Sequence, residues 1–300
     1  MKVKYKNKDI FLPDFMIIGA AKSGTSSLFY YLNQHSQVYI PKIKEPWFFH
    51  LYKTKNTNIP RKNIISEFSD YLALYENSNK LISGDASTIY LYDYKNVINN
   101  IKSIYGKNYR RIKIIIILRN PTERAYSHYL NHVRDNTEDN TFENCFNKSI
   151  ENKLDFYNEY FKYGLYFNQV KAYMESFDNV KIIFSENFMI HKKHTIESIF
   201  KFLNIDFEKI DLNINRNKTG YSRLNFLYQI LQSDKNFFKQ IVKKVIPYKL
   251  GLKIKDSLID LLLYKPKIHN NLKIDINNYY KTDIDNLKRI LDEELLEWKN

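Results

Sequence analysis

The sequence predicts an α/β fold, a P-loop-like open sheet of parallel strands flanked by helices. Three observations carry this expectation. The apolar runs "FMIIG" (15–19), "IKIIIILRNP" (112–121) and "VKIIFSENF" (180–188) are continuous rather than alternating, the pattern of strands covered on both faces. Stretches with helical spacing separate them, as a doubly wound sheet requires. The first run ends in a glycine turn, "GAAKSGTSS" (19–27), that opens into a helix-like segment, so backbone N–H groups point at whatever anion the turn holds.

Taken in order, strand 15–19 leads into a helix over Thr25–His35. A shorter fourth strand, "KLISGDAST" (80–88), precedes a helix over Tyr94–Tyr105. After strand 112–121 comes a helix over Thr122–Asn136, where Pro121 loses nothing, since the N–H it lacks has no intrahelical partner at a helix start. A helix over Tyr166–Phe177 precedes strand 180–188, and one over Ile196–Leu203 follows it. Segment 235–270 is basic and amphipathic and stands outside the alternation. The last helix is expected over Thr282–Trp298, with Ile284, Leu287, Ile290, Leu291 and Leu295 at helical spacing. No repeat or low-complexity linker interrupts the chain, so residues 1–300 are expected to form a single domain with a basic helical appendage at about 235–270.

The 300 residues are 44% hydrophobic and 16% aromatic, enough to bury a sizeable core and too apolar for a disordered chain. The formal charge of +14 suits acidic partners. The lysines are scattered, however, among the Asn, Ile, Tyr and Phe expected of a low-GC genome, so the charge by itself names no partner. With Cys145 as the single cysteine, an intrachain disulfide and a thiolate metal cluster are both excluded, which fits a reducing compartment. The start of the chain carries charges but no apolar signal region, and no run approaches the ~18 apolar residues of a membrane span. A cytoplasmic, bacterial protein is the expectation.

Ligands of such sheets bind at the carboxyl ends of the strands. The 19–27 turn is nearly a Walker A loop, but Thr25 stands where that pattern needs lysine, and Lys22 lies two residues before Gly24. A glycine turn with a Ser/Thr cap accounts for Gly24 and Thr25 and leaves Lys22 unexplained. At the second strand end, a magnesium–nucleotide site places an aspartate, and this chain has Arg119. Guanidinium binds phosphate bidentately and repels a metal cation. The pair describes a site for an anion-rich nucleotide without Mg²⁺.

"AAKSGTSSL", "KEPWFF", "LRNPTERAYSHY" and "YGLYFNQVKAYMESF" with "VKIIFSENF" together resemble the 3′-phosphoadenylyl sulfate (PAPS)-dependent sulfotransferases, in particular bacterial relatives of the heparan-sulfate and carbohydrate group. The resemblance runs from about Phe15 to Tyr221, and "YYKTDIDNLKRILDEELLEW" resembles the family's ending. It implies the sulfotransferase fold, PAPS as donor, its 3′,5′-bisphosphate (PAP) as product and no metal. By position, Lys22, Ser23, Gly24, Thr25, Ser26 and Ser27 match the 5′-phosphosulfate loop, and Arg119 with Ser127 match the 3′-phosphate pair. Lys218, Thr219, Gly220 and Tyr221 match, more loosely, the glycine loop that closes over the nucleotide. Glu45 matches the general base, and Lys22 is expected to stabilise charge on the departing phosphate. The acceptor is expected to be a hydroxyl or amine of a glycan or glycolipid precursor.

Two departures bear on the acceptor. Trp47 stands where histidine is common, and Ala86 where heparan-type enzymes often carry lysine. Trp47, Phe48, Asp85 and Ser87 are candidate acceptor-side residues, Tyr90 and Tyr92 could line the same cleft, and Asp85 and His50 are reserve candidates for the base. His128 and His132 stand one helical turn apart without a third metal ligand. A P-loop kinase is opposed by Thr25 and Arg119. A non-catalytic basic protein would use the charge and segment 235–270 on RNA or lipid; the expectation here is no nucleic-acid partner, with contact between 235–270 and anionic membrane left as a test.

Overall fold

The computed structural model describes residues 1–5, 8–54, 64–76, 78, 80–213, 221–222, 263–264, 266–295 and 298. An antiparallel hairpin, β1 (Lys2–Tyr5) and β2 (Lys8–Phe11), opens the chain. There follow β3 (Phe15–Gly19), α1 (Thr25–Leu32), β4 (Val38–Tyr39), α2 (Phe48–Leu51), α3 (Phe68–Ala73), β5 (Ile82–Ala86), α4 (Ile89–Tyr92) and α5 (Tyr94–Tyr105). The second half holds β6 (Lys113–Leu118), α6 (Pro121–Arg134), α7 (Phe142–Ile150), α8 (Tyr166–Ser176), β7 (Asn179–Phe184), α9 (Ser185–Ile190) and α10 (Lys192–Leu203). A two-residue pair, β8 (Tyr221–Ser222) and β9 (Leu263–Tyr264), and the long α11 (Asn270–Leu291) complete the described chain.

The central sheet has the order β4-β5-β3-β6-β7 with every neighbour parallel. The chain leaves β3 toward one edge and returns on its other side at β6. Strand order therefore reverses between these two, and the crevice at their carboxyl ends is where sheets of this kind take ligands. Side chains of β6 alternate between two cores: Ile114, Ile116 and Leu118 join Met16 and Ile18, while Ile115 and Ile117 join Phe15 and Ile17. Both faces are covered, which is why the run is apolar without a break.

Several boundaries differ from the expectation. β6 ends at Leu118, which leaves Arg119 and Asn120 in the turn before α6. The 180–188 strand stops at Phe184, and α9 begins at Ser185. The final helix spans Asn270–Leu291 rather than Thr282–Trp298. Thr282 is mid-helix, because the buried Ile276, Tyr280 and Leu287 form one stripe across it, and the helix stops where Asp292 turns left-handed at φ 54°. Trp298 lies beyond that stop, its ring 5.6 Å from Phe184 and 6.0 Å from Tyr166. The hairpin β1–β2 and α7, capped by the Thr141 hydroxyl accepting from Asn144 N–H at 3.1 Å, had no expectation. Most of segment 235–270 lies outside the described residues.

Candidate functional site

The turn after β3 is built for amides to converge. Lys22 and Gly24 both take positive φ, 68° and 102°, and α1 starts immediately with no side chain capping its first N–H groups. Those N–H groups, which lack intrahelical partners, stand at the positive end of the helix dipole, an arrangement that favours an anion. Ser23 adds a fully buried hydroxyl, which approaches the Tyr166 hydroxyl without hydrogen-bond geometry and has no partner of its own. A residue other than glycine at position 24 would be strained by its backbone angle.

Lys22 reaches across to α6, where Nζ donates to Asn131 Oδ1 at 3.0 Å, an oxygen that also accepts from Arg134 at 2.6 Å. Its ammonium is desolvated, and the nearby charges of Arg134, Arg119 and Lys44 add to that against the opposing pull of Asp135, bringing its pKa to about 8. Arg119 donates to the Lys22 carbonyl at 3.2 Å, pairs with Glu123 at 3.7 Å, and is held from behind by the Tyr166 hydroxyl donating to its carbonyl at 3.0 Å. Asn120 caps α6 by accepting from Glu123 N–H at 3.1 Å, and its own N–H donates to Glu186 at 2.9 Å. The other oxygen of Glu186 accepts from the Trp298 indole at 3.2 Å. Ser127 is buried one turn before Asn131 on α6, so it shares the face that Lys22 addresses.

Glu45 stands on the other side of the turn. Its carboxylate accepts from Thr88 N–H at 2.8 Å, the Thr88 hydroxyl at 3.2 Å, the Trp47 indole at 3.2 Å and the Lys44 ammonium at 3.2 Å. Its own N–H donates to the Ala86 carbonyl at 2.9 Å, which fastens the 45–47 loop to the end of β5. Glu45 and Trp47 both have positive φ, 61° and 58°. A loop wound so tightly at non-glycine residues is held by these bonds.

The remaining candidates divide. Ser87 and Asp85 lie inside the fold: Ser87 Oγ donates to Asp85 at 3.1 Å and accepts from Trp47 N–H at 3.4 Å, and Asp85 also accepts from Tyr71 at 2.7 Å and Tyr90 at 3.0 Å. Burial raises the Asp85 pKa to about 6, against the pull of these hydroxyls and with a further push from Glu45. At 1% exposure Asp85 braces the loop and has no open side for an acceptor. Phe48 and Tyr90 are likewise core residues, Phe48 stacked on Tyr71 at 4.1 Å, so the aromatic wall of the cleft is different from the one expected. Trp47 and His50 are buried too, and the aromatic surface that is open is the exposed Phe156, which stacks on His50 at 5.5 Å and meets the half-buried Tyr92 at 4.7 Å. His50 is paired with Asp93 at 2.7 Å.

His128 and His132 sit with ring centroids 5.1 Å apart against Tyr160. His128 is half-buried beside Arg124 at 3.3 Å and held well below its ordinary pKa by desolvation first and then by that charge. This is core packing, and among the described residues no group of His, Cys, Asp and Glu is arranged to hold a metal. Lys218, Thr219 and Gly220 lie outside the described residues; Tyr221 forms β8, which lies against α6. Asn131, Arg134, Thr88 and Lys44 were not singled out from the sequence. Asn131 and Arg134 follow Ser127 at one and two helical turns, a spacing that would have marked them.

Fold and site define an α/β protein with a glycine turn opening into α1, an arginine just past the end of β6 and a carboxylate joined to that turn through Lys44. Residues 12–244 match the sulfotransferase domain, and the chain belongs to that family. It is 32% identical over 127 residues to the membrane-associated sulfotransferase kil1 of Dictyostelium discoideum and 29% identical over 154 residues to carbohydrate sulfotransferase 15 of Mus musculus. These matches cover 42% and 40% of this chain but only 24% and 27% of the relatives, so it aligns with about a quarter of their length. A solved sulfotransferase from Alicyclobacillus acidocaldarius shares the fold, with a TM-score of 0.72 and 24% identity over 97% of this chain and all of that one.

Proposed function

We propose that this chain, a single domain, moves a sulfuryl group from PAPS to a hydroxyl or amine of a glycan or glycolipid precursor. The observation that carries the reading is the contact of Arg119 with the Lys22 loop, which puts a fixed cation where a magnesium–nucleotide site has a carboxylate. In this reading the turn amides, Ser23, Thr25, Ser26 and Ser27 hold the 5′-phosphosulfate and Arg119 and Ser127 hold the 3′-phosphate. Lys218, Thr219, Gly220 and Tyr221 would cover the nucleotide. Lys22 stabilises charge on the departing phosphate. Glu45 takes the acceptor proton. Its carboxylate is pinned on three sides, so it presents a defined oxygen to the acceptor without rearranging. No metal takes part.

A glycan acceptor is supported by the aromatic faces of Phe156 and Tyr92, since aromatic faces suit the apolar faces of sugar rings, and by the carbohydrate sulfotransferase among the relatives. The lone Cys145, which is buried, supports a reducing, cytoplasmic setting. No described helix is long and apolar enough to cross a membrane, and peripheral contact with anionic lipid rests on segment 235–270. The test is a screen of glycans and phenols with isotopically labelled PAPS and no Mg²⁺, read by mass spectrometry for the gain of one sulfuryl group. Nucleotide binding that requires Mg²⁺, or phosphoryl transfer from ATP, would overturn the reading.

A further inference from the structure

Lys44 touches both halves of the site. Its Nζ donates to Ser26 Oγ in the first turn of α1 at 2.8 Å and to Glu45 Oε1 at 3.2 Å. A simple counter-ion for Glu45 would explain the second bond and leave the first unexplained. Glu45 is already held by Thr88 and Trp47, so its carboxylate is satisfied without Lys44. The Lys44 side chain is 22% exposed, and its charge acts with that of Arg119 on Lys22, so three cations converge on the turn.

We propose that Lys44 is a further catalytic residue, contacting the oxygens of the sulfuryl group as it passes from donor to acceptor. This rests on the donor and base roles given above to the 22–27 loop and Glu45. A group leaving the α1 turn for an acceptor activated by Glu45 crosses the gap that the Lys44 ammonium spans. In the transfer, Glu45 accepts the proton of the acceptor hydroxyl, and the acceptor oxygen forms its bond to sulfur. The bond from sulfur to the bridging oxygen breaks, its electron pair remaining on the 5′-phosphate of PAP. Negative charge thus disappears at one partner of Lys44 and appears on the side of the other. Its attraction strengthens as the reaction proceeds, which is the condition for raising kcat rather than only binding.

The test compares wild type with Lys44→Met by calorimetry against PAPS and against PAP, and by PAP release during turnover, with water as the acceptor if the screen has found no other. The expected result is PAPS affinity down about tenfold, PAP affinity within about threefold, and kcat down about a hundredfold. Adding Lys44→Met to Glu45→Gln should lower kcat by much less than it does alone, because both act in one step. Lys44→Gln, which keeps a donor for Ser26, decides the matter if the methionine variant fails to bind PAP. PAPS affinity and kcat unchanged in the variants, or PAP and PAPS weakened equally, would overturn the proposal while leaving the donor site in place. A wild-type protein that binds no PAP would instead remove the reading on which it rests.

Discussion

If the 22–27 loop holds the donor as proposed, the depressed pKa of Lys22 should make PAP binding fall with pH in a window set by one residue. Burial, then Arg134, Arg119 and Lys44, hold the ammonium at about 8 instead of 10.5, and a bound phosphate beside it returns it to near its ordinary value. From the pKa of about 8, roughly a tenth of the free protein lacks the proton at pH 7 and roughly nine-tenths at pH 9, so PAP affinity should drop about tenfold, ~1.4 kcal/mol, between them. The phosphates of PAP titrate near pH ~6 and stay ionised throughout. Calorimetry at pH 7, 8 and 9, each in two buffers of different ionisation enthalpy, should show uptake of about half a proton at pH 8 and nearly one at pH 9. Lys22→Arg keeps its charge and should flatten the profile. A flat wild-type profile, or one as steep in the arginine variant, refutes the argument. The same shift has the opposite sign for folding. A lysine whose folded pKa lies below 10.5 opposes folding in full below about pH 8, and that opposition lifts between about 8 and 10.5. Lys22→Met should therefore melt at a higher temperature at pH 7 than wild type while losing the pH dependence of PAP binding.

Arg119→Ala should cost about 2–4 kcal/mol in PAP binding by calorimetry and leave the weaker binding of AMP nearly unchanged, because a charge-assisted phosphate contact is what it removes. Glu45→Gln should lower kcat by roughly 10²–10⁴ with PAP affinity intact, and a lower-pKa acceptor such as a nitrophenol should shrink that defect without shrinking the defect of Lys22→Ala. Asp85→Asn should gain on wild type as pH rises: the folded pKa of Asp85 is raised to about 6 from 3.8, so its ionisation opposes folding from about pH 4 upward. The melting-temperature difference between the two should grow from pH 4 to 7 and then level, and a constant difference would contradict the burial cost assigned to Asp85.

The strands and the glycine turn before α1 were legible because their signals are local. A strand buried on both faces writes itself as consecutive Ile residues, and Lys22, Gly24 and Thr25 are neighbours in the chain. Arg119 was legible for the same reason, standing at the end of such a run. The start of α11 was not, since "NNLKID" looks like a turn and Thr282 like a cap, while the contacts that make the helix come from elsewhere: Tyr280 donates to the Phe161 carbonyl at 2.8 Å. Aromatic residues mislead in a similar way. Tyr105, Tyr173 and Tyr280 are all buried with their hydroxyls on backbone carbonyls, so a polar tip does not mark the surface, and Tyr90 and Phe48 could not be told from cleft residues by type. Lys44 adjoins Glu45 in sequence, but its bond to Ser26 exists only once β3 and the 45–47 loop have been brought side by side.

The bond from Thr88 N–H to Glu45 has a consequence for how such a protein can change. A main-chain donor survives every substitution at its own position except proline, and the loop it anchors is tied to β5 by a second main-chain bond, from Glu45 N–H to the Ala86 carbonyl. The aim of the carboxylate is thereby insulated from drift in the side chains around it. In the proposed reading, Phe156 and Tyr92, unlike Trp47, whose indole donates to Glu45, can be exchanged for other shapes one at a time, each step trying a new acceptor against a carboxylate that keeps its heading.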